Sequence, residues 1–200
     1  MIEKDGHLAI AKFPRKDDEI NTVVWEAVAL TLAKKAGITV PEGRVETVSN
    51  KPVLLLRRFD REGRRRIPFL SAMNMLGSKD NETRSYLEIV DALRQHGAAP
   101  KADMEALWRR LVFNILISNT DDHLRNHGFL YAGQEGWRLS PAYDLNPQPT
   151  DIKPQLTAGT YTSSRQLRAW CERNRNRCYV PEWLLGEWGI TVDFNFSTVA

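Results

Sequence analysis

Met104, Leu107, Trp108, Leu111, Val112, Ile115 and Leu116 repeat at helical spacing, and the chain then runs straight into ISNTDDHLRNHGF, residues 117–129. An apolar stripe of that period buries itself against a core. A helix over 103–117, with Asp103 at its N-cap, is therefore the element around which the rest must pack. The loop that leaves it gathers two acids, two histidines, an arginine and two asparagines. Solvated loops are usually rich in Gly, Ser and Lys; this one holds groups that bind metals and move protons.

The flanking segments supply elements of both kinds. HLAIAKF (7–13) follows an Asp5-Gly6 turn signal and has the length and composition of a strand, with Lys12 near its end. Residues 17–37 carry Val23, Ala27 and Leu30 at helical spacing, and Gly37 supplies a stop. KPVLLLRRF (51–59) is a buried strand running into the charged RRFDREGRRR (57–66), which reads as a solvated hairpin face. YLEIVDALRQHG (86–97) is an amphipathic helix ended by Gly97. GFLYA (128–132) and WRLSPAYDL (137–145) flank a Gly-containing turn, which makes a hairpin with Asp144 at its exit.

The totals remove several classes of function. A chain of 200 residues, 42% hydrophobic and 26% charged, suits one soluble domain or two small lobes sharing a cleft. No apolar run is long enough to span a bilayer and MIEKDGHLAIAKF is not a signal peptide, so a cytoplasmic location is expected. Cys171 and Cys178 form neither a disulfide framework nor a zinc pattern, and read as free thiols. A net charge of +3 makes no global case for nucleic-acid binding.

The loop's spacing points to phosphoryl transfer. Asp121 and Asn126 stand five residues apart, the separation of base and metal-binding amide in a protein-kinase catalytic loop. One short loop must hold a carboxylate against an attacking hydroxyl and, a turn later, a neutral oxygen against a hard cation. Such chemistry also needs a second carboxylate leaving a hairpin, which Asp144 supplies. It needs a strand lysine for the phosphates and a helix glutamate to orient it; Lys12 and Glu26 stand in that order. Asp122 lies four residues from Asn126 and fits less well, so it reads as a loop-shaping or exposed acid. His123 and His127 are four apart, but a zinc site lacks a third ligand; His123 reads as bracing the loop by hydrogen bonds.

Taken together, IAKFP (10–14), WEAVALTLAKKAGITVP (25–41), LLRRFDR (55–61), FLSAMNMLG (69–77), LWRRLVFNILISNTDDHLRNHGFLY (107–131) and LSPAYDLNP (139–147) resemble the kinase portion of the HipA-type toxins. These are bacterial serine/threonine protein kinases of toxin–antitoxin systems, and the likeness covers roughly residues 8 to 150. It implies an α+β, protein-kinase-like bilobal fold, with a partial small lobe of strands plus one helix over 1–66. A mainly helical large lobe carrying catalytic loop and metal-binding hairpin is implied over 67–155. Residue by residue, it makes Asp121 the catalytic base, with His123 inside the family's Asp-x-His-x-x-(Lys/Arg)-Asn signature. Asn126 and Asp144 become metal ligands, Lys12 the nucleotide-phosphate lysine and Glu26 its partner. It implies ATP and Mg2+ as cofactors and a protein Ser or Thr hydroxyl as acceptor, with an aminoacyl-tRNA synthetase as the family's type of target. A HipB-like helix-turn-helix antitoxin is the implied partner.

Two departures from the resemblance carry expectations of their own. The chain begins eleven residues before Lys12 without a Gly-rich phosphate-covering loop, so weaker nucleotide binding is expected of a front-truncated core. Residues 156–200, with five arginines in RQLRAWCERNRNR, are expected to diverge from the family's closing helices and to leave the 104–116 stripe partly uncovered. The alternatives are a catalytically impaired binding module or gene remnant, and a small-molecule or lipid kinase sharing the same loop.

Overall fold

The computed structural model describes residues 1–2, 6–15, 21–63, 65–79, 82 and 84–147. Its first sheet is organised by the most apolar run of the chain. Val53, Leu54, Leu55 and Leu56 are all buried, and because successive strand side chains point to opposite faces, the strand must be covered on both. This strand, β3 (Lys51–Arg57), is central, with β1 (Ala9–Lys12) and β2 (Gly43–Val48) antiparallel on either side. The register sets Lys12 opposite Leu54.

Helix α1 (Thr22–Lys35) packs Val23, Ala29, Leu30 and Ala33 against Leu54 and Leu56. The Asn21 side chain caps its start by accepting from the Val24 N–H at 3.2 Å, and Lys34 and Lys35 sit at the negative end of its dipole. Gly37 follows with φ +73°, a left-handed residue that stops the helix where the sequence placed the stop. The two acids at 17 and 18, expected inside this helix, lie outside the described residues. So does everything expected of 156–200, cysteines included.

The charged run after β3 forms a short antiparallel pair, β4 (Arg61–Glu62) with β5 (Arg65–Arg66). It is not wholly solvated. Asp60 is buried and takes both Arg58 and Arg61, Arg58 through two bonds of 2.8 and 2.6 Å. The expected hairpin is present as β7 (Gly128–Tyr131) and β8 (Trp137–Leu139), joined on its other edge by β6 (Phe69–Ser71). Helices α2 (Ala72–Met75), α3 (Tyr86–His96) and α4 (Pro100–Leu116), with two 3-10 turns at Leu124–Asn126 and Gly133–Glu135, complete the described elements. A capping box formed by Ser85 and Glu88 starts α3.

Helix α4 corrects one expectation. It begins at Pro100, whose fixed φ suits the first helical position, and Ala99 is its N-cap without a side-chain bond. Asp103 is instead a buried anchor: its carboxylate accepts from Arg138 and from the Leu139 N–H at 2.9–3.2 Å, clamping the helix to β8. In the apolar stripe Met104, Val112, Ile115 and Leu116 are half-buried. Leu107, Trp108 and Leu111 are buried with Ile89 and Leu93 of α3. On another side Phe113 joins the core around α1 and β3, together with Ala142 and Leu145. The helix thus has two buried faces, and Arg110 and Asn114 lie buried on it as well.

Its end explains the loop. Ser118 takes φ 53°, its N–H bonds the Ile115 carbonyl at 3.1 Å and the Asn119 N–H bonds the Asn114 carbonyl at 2.9 Å. This is the paired bonding of a Schellman termination, made here without glycine. It turns the chain sharply, leaving Asn119 buried and delivering Asp121 to the surface above the helix.

Candidate active site

Lys12 is held by two carboxylates. Its Nζ donates to Glu26 Oε1 and Oε2 at 2.6 and 2.8 Å, and to Asp144 Oδ1 at 2.7 Å. β1 supplies the lysine, α1 the glutamate and the segment after β8 the aspartate, so one ammonium ties together three elements distant in sequence. Burial acts to lower the Lys12 pKa, yet the charges and hydrogen bonds of Glu26 and Asp144 outweigh it and hold the ammonium above its ordinary value. Glu26, almost fully buried, is pushed up by that burial despite Lys12, and the nearby Asp144 charge adds to the rise.

Asp144 has φ 57°, the left-handed region that a non-glycine residue avoids at a cost of about 1–2 kcal/mol. Its neighbours explain why it stays there. Ala142 and Leu145 are both buried in the core shared by α1 and α4, and the Ala142 N–H bonds the Thr39 carbonyl at 2.7 Å. The backbone is pinned on both sides, and the strained residue between is aimed at Lys12.

Asp121 faces the same space. A cleft of about 490 Å³ is lined by Lys12, Glu26, Asp121, Asp144, Asn146 and Trp25, among others. A second hollow of about 320 Å³ shares Lys12 and Asp144 and is mainly apolar, with Ile10, Leu56, Phe59, Phe69 and Tyr143 on its walls. Phe59, Phe69 and Tyr143 form an aromatic triad with ring centroids 5.7–6.3 Å apart. The Tyr143 hydroxyl donates to the Arg125 carbonyl at 2.6 Å, and burial raises its phenol pKa well above the ordinary value. One end of the combined cleft is charged and the other aromatic.

The loop between α4 and β7 is shaped by buried side chains. Asp122, read there as loop-shaping or exposed, is only 2% exposed and anchors the loop from below. It accepts from the Tyr86 hydroxyl, from Asn114 Nδ2 at 2.9 Å, and pairs with His127 Nε2 at 3.1 Å. Burial works to raise the Asp122 pKa, but the His127 charge and these three donors overcome it and hold the carboxyl below its usual range. Arg110 lies fully buried nearby, donating to the Ser140 carbonyl at 2.6 Å; burial lowers its pKa to about 10 against the opposing pull of Asp122.

The remaining predicted residues take different places. Asn126 is buried and lines neither hollow; its Nδ2 donates to the Asp121 carbonyl at 2.9 Å. His123 also lines neither hollow, and its Nδ1 is buried without a partner among the described residues. The bonds that brace the loop come from His127 and not through that nitrogen. Asn146, which the sequence reading passed over, donates from Nδ2 to Asp121 Oδ2 at 3.3 Å. A signal for the buried network did exist: Arg110 and Asn114 stand four apart on a helix with apolar residues on both sides of them, where solvated polar residues have no place.

No group of three or more His, Cys, Asp or Glu side chains converges as a metal cage among the described residues. An Asp carboxylate and an Asn amide oxygen are nevertheless the donor set that suits Mg2+. That ion binds through one or two protein oxygens and takes its other ligands from water and phosphates.

Comparison with known proteins follows the same lines. The fold is shared with solved kinases of this architecture. HipA of Shewanella oneidensis MR-1, solved with HipB and its operator DNA, aligns over 88% of this chain and 47% of that one, with TM-score 0.69 and 22% identity. CtkA, a proinflammatory kinase of Helicobacter pylori, aligns over 72% of this chain and 51% of that one, with TM-score 0.60 and 24% identity. In sequence, the serine/threonine-protein kinase CtkA of Helicobacter pylori strain J99 is 28% identical over 164 residues, 74% of this chain and 50% of that protein. The chain spans about half the length of these relatives. The family described as the HipA-like C-terminal domain matches residues 1–185, and the chain belongs to it. That match runs past Pro147, where the last of the quoted motifs ends, and takes in residues 156–185, which were expected to diverge from the family. Among the described residues no helix is long and apolar enough to cross a membrane.

Proposed function

We propose that this chain carries the core of an ATP- and Mg2+-dependent protein serine/threonine kinase of the HipA type. The observation that carries the reading is the joint placement of Lys12, Glu26, Asp144 and Asp121 on one cleft, with Lys12 bonded to Glu26 and Asp144. Four residues from four separate segments meet where the chemistry needs them.

The aromatic hollow suits a nucleobase, which is flat and apolar on its faces, and its shared wall at Lys12 and Asp144 leads the phosphates into the charged cleft. Lys12 neutralises phosphate oxygens, and Glu26 fixes the direction of its ammonium. Asn126 and Asp144 are the residues that would hold magnesium, which supplies charge neutralisation on the phosphates when bound. Asp121 orients the acceptor hydroxyl and takes its proton as the oxygen–phosphorus bond forms and the bond to the departing ADP breaks. Because the protein performs little covalent chemistry, positioning and charge stabilisation dominate the rate.

The acceptor is proposed to be a Ser or Thr hydroxyl of a protein, with an aminoacyl-tRNA synthetase as one candidate. The partner is proposed to be a HipB-like antitoxin, on the strength of the HipA structure solved with HipB. The test is transfer from γ-labelled ATP by the unaltered chain and by Asp121→Asn, paired with melting curves in Mg-ATP. The expected outcome is a rise in melting temperature that Asp144→Ala abolishes, and incorporation at least a hundredfold lower in Asp121→Asn. Equal incorporation by both proteins removes Asp121 from its role. Stabilisation without any transfer favours the binding-module alternative.

A further inference from the structure

We propose that Asn146 is a positioning residue for Asp121, locking its carboxylate in register with the segment that carries Asp144. The inference rests on the kinase reading and adds a residue to it.

Asp121 is exposed at the cleft and lies in the irregular stretch between α4 and the 3-10 turn Leu124–Asn126, so its backbone and side chain must be fixed by others. Three asparagines do so from three directions. Asn119 Oδ1 accepts from the Asp121 N–H at 3.3 Å, Asn126 Nδ2 donates to the Asp121 carbonyl at 2.9 Å, and Asn146 Nδ2 donates to Oδ2 at 3.3 Å. Only the last touches the carboxylate. With Oδ2 occupied by a donor, Oδ1 is the oxygen that faces an incoming hydroxyl.

The identity and location of Asn146 both suit this task. An amide donor fixes one oxygen without cancelling the charge that a base requires, as a Lys or Arg at that distance would. Asn146 is also two residues after Asp144, on the segment pinned by Ala142 and Leu145, and it precedes Pro147, which restricts it to extended backbone. Base loop and Asp144 segment come from different parts of the chain; the Asn146 bond is a direct link from the second to the carboxylate of the first. A shift of either of about 1 Å is enough to cost a large part of the rate.

The experiment uses the full chain with γ-labelled ATP and casein as the acceptor probe. It compares unaltered protein, Asn146→Ala and Asn146→Asp for kcat, for the KM of ATP and for Mg-ATP affinity by calorimetry. The expected result is a fall in kcat of roughly ten- to a hundredfold in both variants, with KM and affinity for ATP within about twofold. In the Asp121→Asn background, single-turnover rates should show Asn146→Ala costing less than about threefold more, because the carboxylate it positions is gone. Melting temperatures within a few degrees of the unaltered protein confirm that both variants fold. Activity retained by Asn146→Asp overturns the proposal, since aspartate keeps the shape and a metal-binding oxygen but loses the donor. A loss of Mg-ATP affinity in step with kcat overturns it too, in favour of a ligand role. No transfer by the unaltered chain defeats the kinase reading itself, a result distinct from normal transfer by Asn146→Ala, which defeats only the role of Asn146.

Discussion

Replacing Asp122 by alanine is expected to destabilise the protein by about 4 kcal/mol. The carboxylate accepts from Tyr86, Asn114 and His127 at a site that water does not reach. Deleting it orphans three buried donors at once, each worth about 1–3 kcal/mol, although losses in one network do not add fully. It also removes the largest opposing charge acting on the buried Arg110 guanidinium and leaves the smaller pull of Asp103. Removing one member of a buried charged set costs about 3–5 kcal/mol, so the two routes to the figure agree. For a chain of 200 residues that corresponds to a fall in melting temperature of roughly 8–16 °C. Asp122→Asn keeps one acceptor oxygen and should lose about half as much. Urea unfolding followed by tryptophan fluorescence measures both variants, and comparable m-values license the comparison. A loss below about 1 kcal/mol in Asp122→Ala would refute the argument that this network anchors the loop from below.

Gly128→Ala should cost about 1–3 kcal/mol and weaken nucleotide binding. A Cβ there would lie 2.3 Å from Phe69 Cε2, driving that ring into the aromatic hollow, and unchanged urea midpoint and Mg-ATP affinity would count against it. Stability should also fall as pH drops below about 4. Asp122 is held below its ordinary pKa by His127 and its donors against burial, and Asp60 is lowered chiefly by its bonds from Arg58. With folded values depressed, the unfolded chain binds protons first; the contribution is complete above the ordinary carboxylate value and is lost as pH falls through the folded ones. Midpoints measured from pH 6 to 3 should decline less steeply in Asp60→Asn.

Several parts of this arrangement were legible in one dimension. The stripe from Met104 to Leu116 announced a core helix because burial on a helix imposes a period, and Gly37 announced a stop because a left-handed residue was needed there. The spacing of Asp121 and Asn126 was legible because both lie on one short loop, where separation along the chain limits separation in space. Asp103 misled because an acid before an apolar run looks like a cap, whereas Pro100 had already begun the helix and the carboxylate was reserved for Arg138. Asp122 was read only in part, since two adjacent acids look alike until one is seen to point inward.

What the sequence determined by itself is therefore local: the longer helices, the apolar strand and the hairpin, where the apolar faces lie, and that the loop and hairpin motifs belong to the HipA-like family. The tertiary structure alone decided that Lys12 reaches Glu26 and Asp144 together, that Asp122 rather than Asp121 is the buried acid, and that Asn146 meets the Asp121 carboxylate. The physical reason is distance along the chain. Periodicity and turn chemistry act over a few residues, while a contact between residues 12 and 144 forms only once both cores have closed and their buried neighbours have fixed the backbone that carries each side chain.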